Sequence, residues 1–289
     1  MLHWSQNVKT ERMLRVFWAK VLEFLDTPMT EPTSYGTFHI IWIVLSLVAG
    51  VALCIFFRDS KRYAPRVMLV TAIIVIVLEI YKLINHAFDY EDGISYAFPW
   101  EYFPFQFCST PMYVGLLAGL TRKGRIHNAL CAYLATFAVF AGLVVMAYPN
   151  DVFVETAGIN YQTMICHGSM LSIGIYLFGT GYVKAEHKTI FKALPVFCVA
   201  VAIATGLNEW AYRAGILEID KFNMFYFSPY QDPHLPVYSN VQEALGVANP
   251  LSFVIYVVGF TLAAYIVLLI AMGLRRTFAP RRRKVKVRA

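Results

Sequence analysis

"VMLVTAIIVIVLEIYKLINH" occupies residues 67–86. Its first dozen positions are apolar apart from Thr71. A run of roughly 20 such residues is what a helix needs to cross a bilayer. The run then breaks its own rule, with Glu79, Lys82, Asn85 and His86 toward its end. Glu79 and Lys82 are spaced i,i+3 and Lys82 and His86 i,i+4, so a helix puts all three on one face. Ionisable side chains inside a membrane are costly and usually mark function.

Six other stretches read the same way, and together they predict an all-α, polytopic bundle of seven transmembrane helices. The predicted spans are about 36–57, 66–88, 104–121, 125–148, 161–183, 189–213 and 251–274. The chain has 289 residues, of which 58% are hydrophobic and 15% charged, well below the charge of a soluble domain. Runs this long satisfy their backbones in lipid only as helices. The expected organisation is an amphipathic N-terminal helix over 1–35, a membrane domain over 36–274 and a basic tail over 275–289. Leu14, Phe17, Val21, Phe24 and Leu25 recur at helical spacing among basic residues, which suits either the membrane interface or packing on the bundle. No short apolar core with a small-residue cleavage site is apparent there, so no signal peptide is expected.

Basic residues cluster in the 1–2, 3–4 and 5–6 loops and in the tail, which holds eight between Arg275 and Arg288. The 2–3 and 4–5 loops have none. The positive-inside rule then places the C-terminus in the cytoplasm and the N-terminus outside. The tail suits anionic lipid headgroups, so the net charge of +7 implies no nucleic acid. None of the five cysteines falls in a predicted outer loop, which argues against a disulfide framework.

In this orientation the polar residues share one depth. Glu79, Lys82, Asn85 and His86 lie toward the outer end of the second span, and Gln106 and Cys108 open the third. Gln162, Thr163 and His167 open the fifth, Asn208 and Glu209 close the sixth, and His39 lies in the outer half of the first. The set reads as a polar chamber in the outer half of the bundle, or as hydrogen-bonded glue between helices. No comparable set is expected in the cytoplasmic half.

Pro104 suits the first turn of a helix, which would put Cys108 one turn inside, where the macrodipole favours a thiolate. His167 sits at a matching depth and is the candidate base of a Cys108–His167 dyad. Cys166 is the rival nucleophile, pointing about 100° away from its neighbour His167 on a helix. Pro104, Cys108, Pro111, Gly115 and Gly119 share a face built for close helix contact. The segment 214–250, rich in aromatic residues and proline, reads as an outer cap over the chamber or as a loop in the headgroups. There is no phosphate-binding glycine loop and no H-E-x-x-H or C-x-x-C motif. His86, Asp89 and Glu91 have the spacing of a loop, so no metal and no cofactor is predicted.

Three motifs, in this order and spacing, resemble the YwaF-like family of integral membrane proteins. They are "FPFQFCS" at 103–109, "MICHGSM" at 164–170 and "FNMFYFSPY" at 222–230, with Asn208 upstream of the last. The family's animal relatives include a cysteine-dependent ether-phospholipid acyltransferase, and a more distant likeness runs to the androgen-induced membrane hydrolases. The resemblance implies a seven-span bundle, a plasma-membrane location as in bacterial members, and acyl transfer on a phospholipid or lysolipid. It carries the nucleophile onto Cys108 and the histidine onto His167. Gln106, Glu79, Lys82, His86, Asn208, Glu209 and Asn223 are then candidates for substrate binding or tuning. The competing reading is a transporter or binding protein, proton-coupled or otherwise, that uses Glu79, Lys82 and His86 without covalent chemistry.

Overall fold

A computed structural model describes residues 16–89, 95–149, 152–218, 221–231, 238–246 and 250–278. Most of the predicted tail and the first part of the predicted N-terminal helix lie outside the described residues. Residues 16–25 are helical (α1). The bundle follows as α2 (Thr37–Phe56), α3 (Ser60–Ala87), α4 (Thr110–Leu120), α5 (Arg125–Ala135), α6 (Phe137–Ala147), α7 (Ala157–Gly179) and α8 (Lys188–Arg213). Then come a short α9 (Tyr238–Leu245) and α10 (Pro250–Phe278). The described strands are a two-residue hairpin after α3, Phe88–Asp89 against Ser95–Tyr96.

Five units are long and apolar enough to cross a membrane: α2, α3, Arg125–Ala147, α8 and α10. The other two predicted spans depart from that standard for different reasons. α7 has the length, at 23 residues, yet it is not among the five. Asn160, Gln162, Thr163, His167 and Ser172 make it polar, and it tolerates them because most of its residues are buried against α2, α3, α5 and α6. α4 is the larger correction. The third span was expected from Pro104, but the helix runs only from Thr110, with Pro111 in its first turn. Both prolines satisfy the rule for a helix start. Tertiary contacts decide between them: Gln106 is drawn sideways onto another segment, and Tyr113 donates to the Pro104 carbonyl at 2.7 Å.

The fourth span is continuous in depth but broken at Thr136, whose φ of −123° and ψ of −76° separate α5 from α6. Its hydroxyl donates to the Ala132 carbonyl, four residues back, at 2.7 Å. Threonine bonded in this way competes with the helical ladder and bends it. Pro65 leaves the Lys61 carbonyl without its helical donor, and Lys123 from the next loop supplies one at 3.3 Å.

Helices approach closely where side chains are small, as in other membrane bundles. A Cβ on Gly119 of α4 would lie 2.9 Å from the Pro65 carbonyl oxygen of α3. A Cβ on Gly142 of α6 would meet the His167 carbonyl oxygen of α7 at 2.6 Å and the Met170 Cβ at 2.8 Å. The segment between α8 and α10 is ordered where described, with 3₁₀ turns at Ile216–Glu218 and Met224–Tyr226. Rings of Phe225, Phe227, Tyr256 and Phe260 join it to α10 and the core.

The α6–α7 contact is testable. Gly142→Leu should destabilise the protein by about 1–3 kcal/mol, the range for overpacking. The expected readout is a lower thermal midpoint in detergent, with the exposed neighbour Leu143→Ala staying near wild type. Equal midpoints for the two variants would show that α6 and α7 do not pack at Gly142.

Candidate functional site

The turn that carries Cys108 is held from three directions. Gln106 donates Nε2–H to the Asn223 carbonyl at 3.0 Å, and its Oε1 accepts the Phe225 N–H at 3.0 Å. Phe107 enters an aromatic cluster, with the rings of Phe140, Phe197, Phe225 and Phe260 at 5.0–6.2 Å. Thr110, opening α4, shares a 2.6 Å hydrogen bond with the Tyr133 hydroxyl. Cys108 sits between these anchors, half-buried, in a turn just before α4 rather than one turn inside a helix.

Beside it lies a buried carboxylate. Glu79 is 5% exposed, and partners from α3, the start of α4, and α7 meet on it. Lys82 donates to its Oε1 at 2.6 Å, and the Ser109 hydroxyl donates to the same oxygen at 3.4 Å. Gln162 donates to Oε2 at 3.2 Å, and the same amide nitrogen lies 3.5 Å from the Cys166 sulfur. Thr163 donates to the Gln162 Oε1 at 3.3 Å. The Cys108 and Cys166 thiols lie within electrostatic range of Glu79, of Lys82 and of each other. A buried ion pair costs desolvation unless further hydrogen bonds fill its remaining valences, and Ser109 and Gln162 do that here.

His167 is buried on α7. Its Nδ1 faces the Thr163 carbonyl oxygen at 2.8 Å. A carbonyl only accepts, so Nδ1 carries the hydrogen and Nε2 the lone pair. That buried Nε2 has no hydrogen-bond partner. Cys108 and His167 are therefore not hydrogen-bonded in this structure.

The remaining predicted residues are dispersed. Asn208 clamps the backbone of Met224, donating to its carbonyl at 3.0 Å and accepting its N–H at 2.7 Å. Asn223 accepts the Ser228 N–H at 2.9 Å, and the Tyr256 hydroxyl donates to the Phe225 carbonyl at 3.0 Å. These bonds surround Phe225 and Tyr226, which hold positive φ angles of 61° and 55°. Such a backbone persists only where its surroundings over-determine it. Glu209 faces outward, paired with Arg213 at 2.6 Å and accepting the Tyr230 hydroxyl. His86 stacks on Tyr102 with ring centroids 3.8 Å apart. Asn85 donates to Asp26 at 3.4 Å, and Tyr81 donates to the Leu25 carbonyl at 2.6 Å, so the C-terminal end of α3 anchors the end of α1. His39 bridges α2 and α6, accepting the Tyr35 N–H and donating to the Met146 carbonyl at 3.0 Å.

A second polar group lies at the opposite end of the bundle, where none was expected. His127 Nε2 is 2.7 Å from the Tyr182 hydroxyl and 3.4 Å from the Cys131 sulfur. The signal was present, since His127 and Cys131 are spaced i,i+4 on α5. His127 opens the predicted fourth span and was not weighed with Cys131 in the sequence reading. Ser109 was likewise missed as a partner of Glu79, although it adjoins Cys108. Among the described residues no group of three His, Cys, Asp or Glu side chains is placed to hold a metal.

Residues 34–272 match the model of the TMEM164 family, a family of membrane proteins. No curated protein and no solved structure matches the chain.

The buried pair yields a stability test. Glu79→Ala strands the Lys82 ammonium and should cost about 3–5 kcal/mol, the range for breaking a buried ion pair. The double variant Glu79→Gln/Lys82→Met should cost much less. Denaturant unfolding in detergent measures both, and equal losses would mean that the two charges are not coupled.

Proposed function

The chain belongs to the TMEM164 family, and from that premise we propose that it is a seven-span membrane enzyme acting on lipid acyl esters. α4 with its preceding turn and the polar α7 supply the two spans beyond the five apolar units. The N-terminus lies outside and the C-terminus in the cytoplasm, at the plasma membrane, with the basic tail on anionic headgroups.

The observation that carries the chemistry is the bare Nε2 of His167, buried without a partner. It lies in the same interior as two thiols and an ion pair. His167 Nε2 takes the proton of Cys108, and the thiolate attacks the carbonyl carbon of a phospholipid ester. The tetrahedral oxyanion collapses to an acyl-cysteine, and the departing lysolipid oxygen takes the proton back from His167. A second lysolipid hydroxyl, or water, then takes the acyl group by the reverse steps. Catalytic hydrogen bonds often tighten only when substrate is bound, so the open Cys108–His167 contact is compatible with this route. Gln106 has both ends of its amide engaged by the 223–225 backbone, which leaves Ser109 and Lys82 as the better oxyanion donors. Glu79 holds both of these donors in place.

The alternative, a carrier without covalent chemistry, draws on the same Glu79–Lys82 pair, whose burial suits proton coupling. An acyl-enzyme trap separates the two. The purified protein in liposomes is exposed to phospholipid with an alkyne-tagged acyl chain, and tryptic peptides are searched for a hydroxylamine-sensitive thioester. The expected adduct is on Cys108, lost in Cys108→Ala, kept in Cys166→Ala, and formed about 10²-fold or more slowly in His167→Ala, as for loss of a general base. An adduct on Cys166 would replace the nucleophile. No adduct in any form would overturn the acyl chemistry and favour the carrier.

A further inference from the structure

α2 and α3 both pack on α7, yet they splay apart from each other over much of their length. Between them lies an apolar groove of about 480 Å³, within the range of about 300–1,000 Å³ common for ligand pockets. Its wall on α2 runs from Trp42 to Phe56, about 21 Å at the helical rise. Its α3 wall is Thr71, Ile74 and Val75. Its floor is α7, where Gly168, Ser169 and Ser172 replace bulky side chains.

We propose that this groove holds one acyl chain of a bilayer glycerolipid, entering sideways between α2 and α3. The occupant follows from where the groove opens. α2 and α3 are apolar candidate spans, and only 17% and 28% of their most hydropathic windows are buried. A cleft between two such helices opens into hydrocarbon, and hydrocarbon chains are what fills it. Its inner end says what the chain is for. The groove abuts a second, small cavity of about 30 Å³ along Thr71, Val75, Ser169 and Ile173. The far wall of that cavity includes Pro111 and Met112, the residues that follow Ser109 and Thr110 into α4. Val75 and Met112 also pack on Cys166, the thiol beside Gln162, and Val75 stands one turn before Glu79 on α3. The apolar space thus ends beneath the polar cluster. A chain lying in the groove brings its ester end toward that cluster while its tail stays against α2. This deepens the acyl-ester reading above and rests on it for the reacting end.

Photo-crosslinking tests the groove separately from the chemistry. Full-length Cys108→Ala protein is reconstituted in liposomes with a phosphatidylcholine carrying a diazirine midway along one acyl chain. Adducts are mapped on the α7 floor, at Ile165 and Ser169, and on lipid-facing Leu262 and Ile266 of α10 as a reference. Floor adducts are expected. Ala49→Trp, which fills the groove from α2, should lower them about tenfold relative to the α10 adducts, the effect of losing roughly two methylenes of burial. Ile74→Trp fills the groove from α3 and serves as the second variant should Ala49→Trp unfold. Floor adducts that are absent, or unchanged when the groove is filled, overturn the proposal. Acyl-Cys108 in wild type is read in parallel. If it fails while floor adducts respond to filling, the covalent mechanism falls and the groove stands. If it forms while the floor is unlabelled, the groove falls and the mechanism stands.

Discussion

A carboxylate and an ammonium held together at membrane depth set the terms for the rest of the bundle. Glu79 and Lys82 cannot keep water, so the structure must replace it with fixed donors. One donor is the first hydroxyl before α4 and another is an amide on α7. This requirement brings three chain segments to one point. It also explains why α7 is polar enough to fall outside the apolar spans while being the most enclosed helix. Most of its side chains face other helices, which keeps Asn160, Gln162 and His167 away from lipid. The surrounding helices are left free to be apolar outward.

Polar residues at this end of the bundle divide into two kinds. Asn208 and Gln106 spend their amides on backbone, pinning a 3₁₀ turn whose two aromatic residues hold positive φ. That clamp, with Phe107 buried among four rings, fixes the turn from which Cys108 projects. His167 is of the other kind. Its hydrogen is committed to a carbonyl and its lone pair is left open. In a low-dielectric interior an unpaired polar atom is a cost, and such atoms in native structures call for a reason such as catalysis.

The apolar units were legible from hydropathy and length because a membrane helix must declare itself along its whole span. Breaks were less so. Pro104 and Pro111 both qualify as helix starts, and the pull of Gln106 toward residues 223–225, with Tyr113 on the Pro104 carbonyl, selects the second. Thr136 looks like any interior threonine until its back-bond is seen. The site was half legible for a geometric reason. Counting along predicted spans gives each residue a height but not an azimuth. Height alone grouped Glu79, Gln162, Asn208, Glu209 and His39. Azimuth then sent Glu79 and Gln162 to the same point, Glu209 to the outer surface and His39 to the α2–α6 seam.

The two thiols near the ion pair show how such geometry bears on chemistry. Cys166 is buried, with the Gln162 amide against its sulfur and Val75 and Met112 around it. A thiolate there would gain one neutral donor and lose access to water. Cys108 is half-buried, in a turn rather than on a helix wall, and its neighbour Ser109 is tied to Glu79. Losing the helix-start position removes the macrodipole from its activation. What stands near it instead is the Glu79–Lys82 pair, within electrostatic range of its thiol. On the proposed route, the buried pair that joins α3, the start of α4 and α7 also sets the charge beside Cys108, so stability and reactivity would be coupled through Glu79.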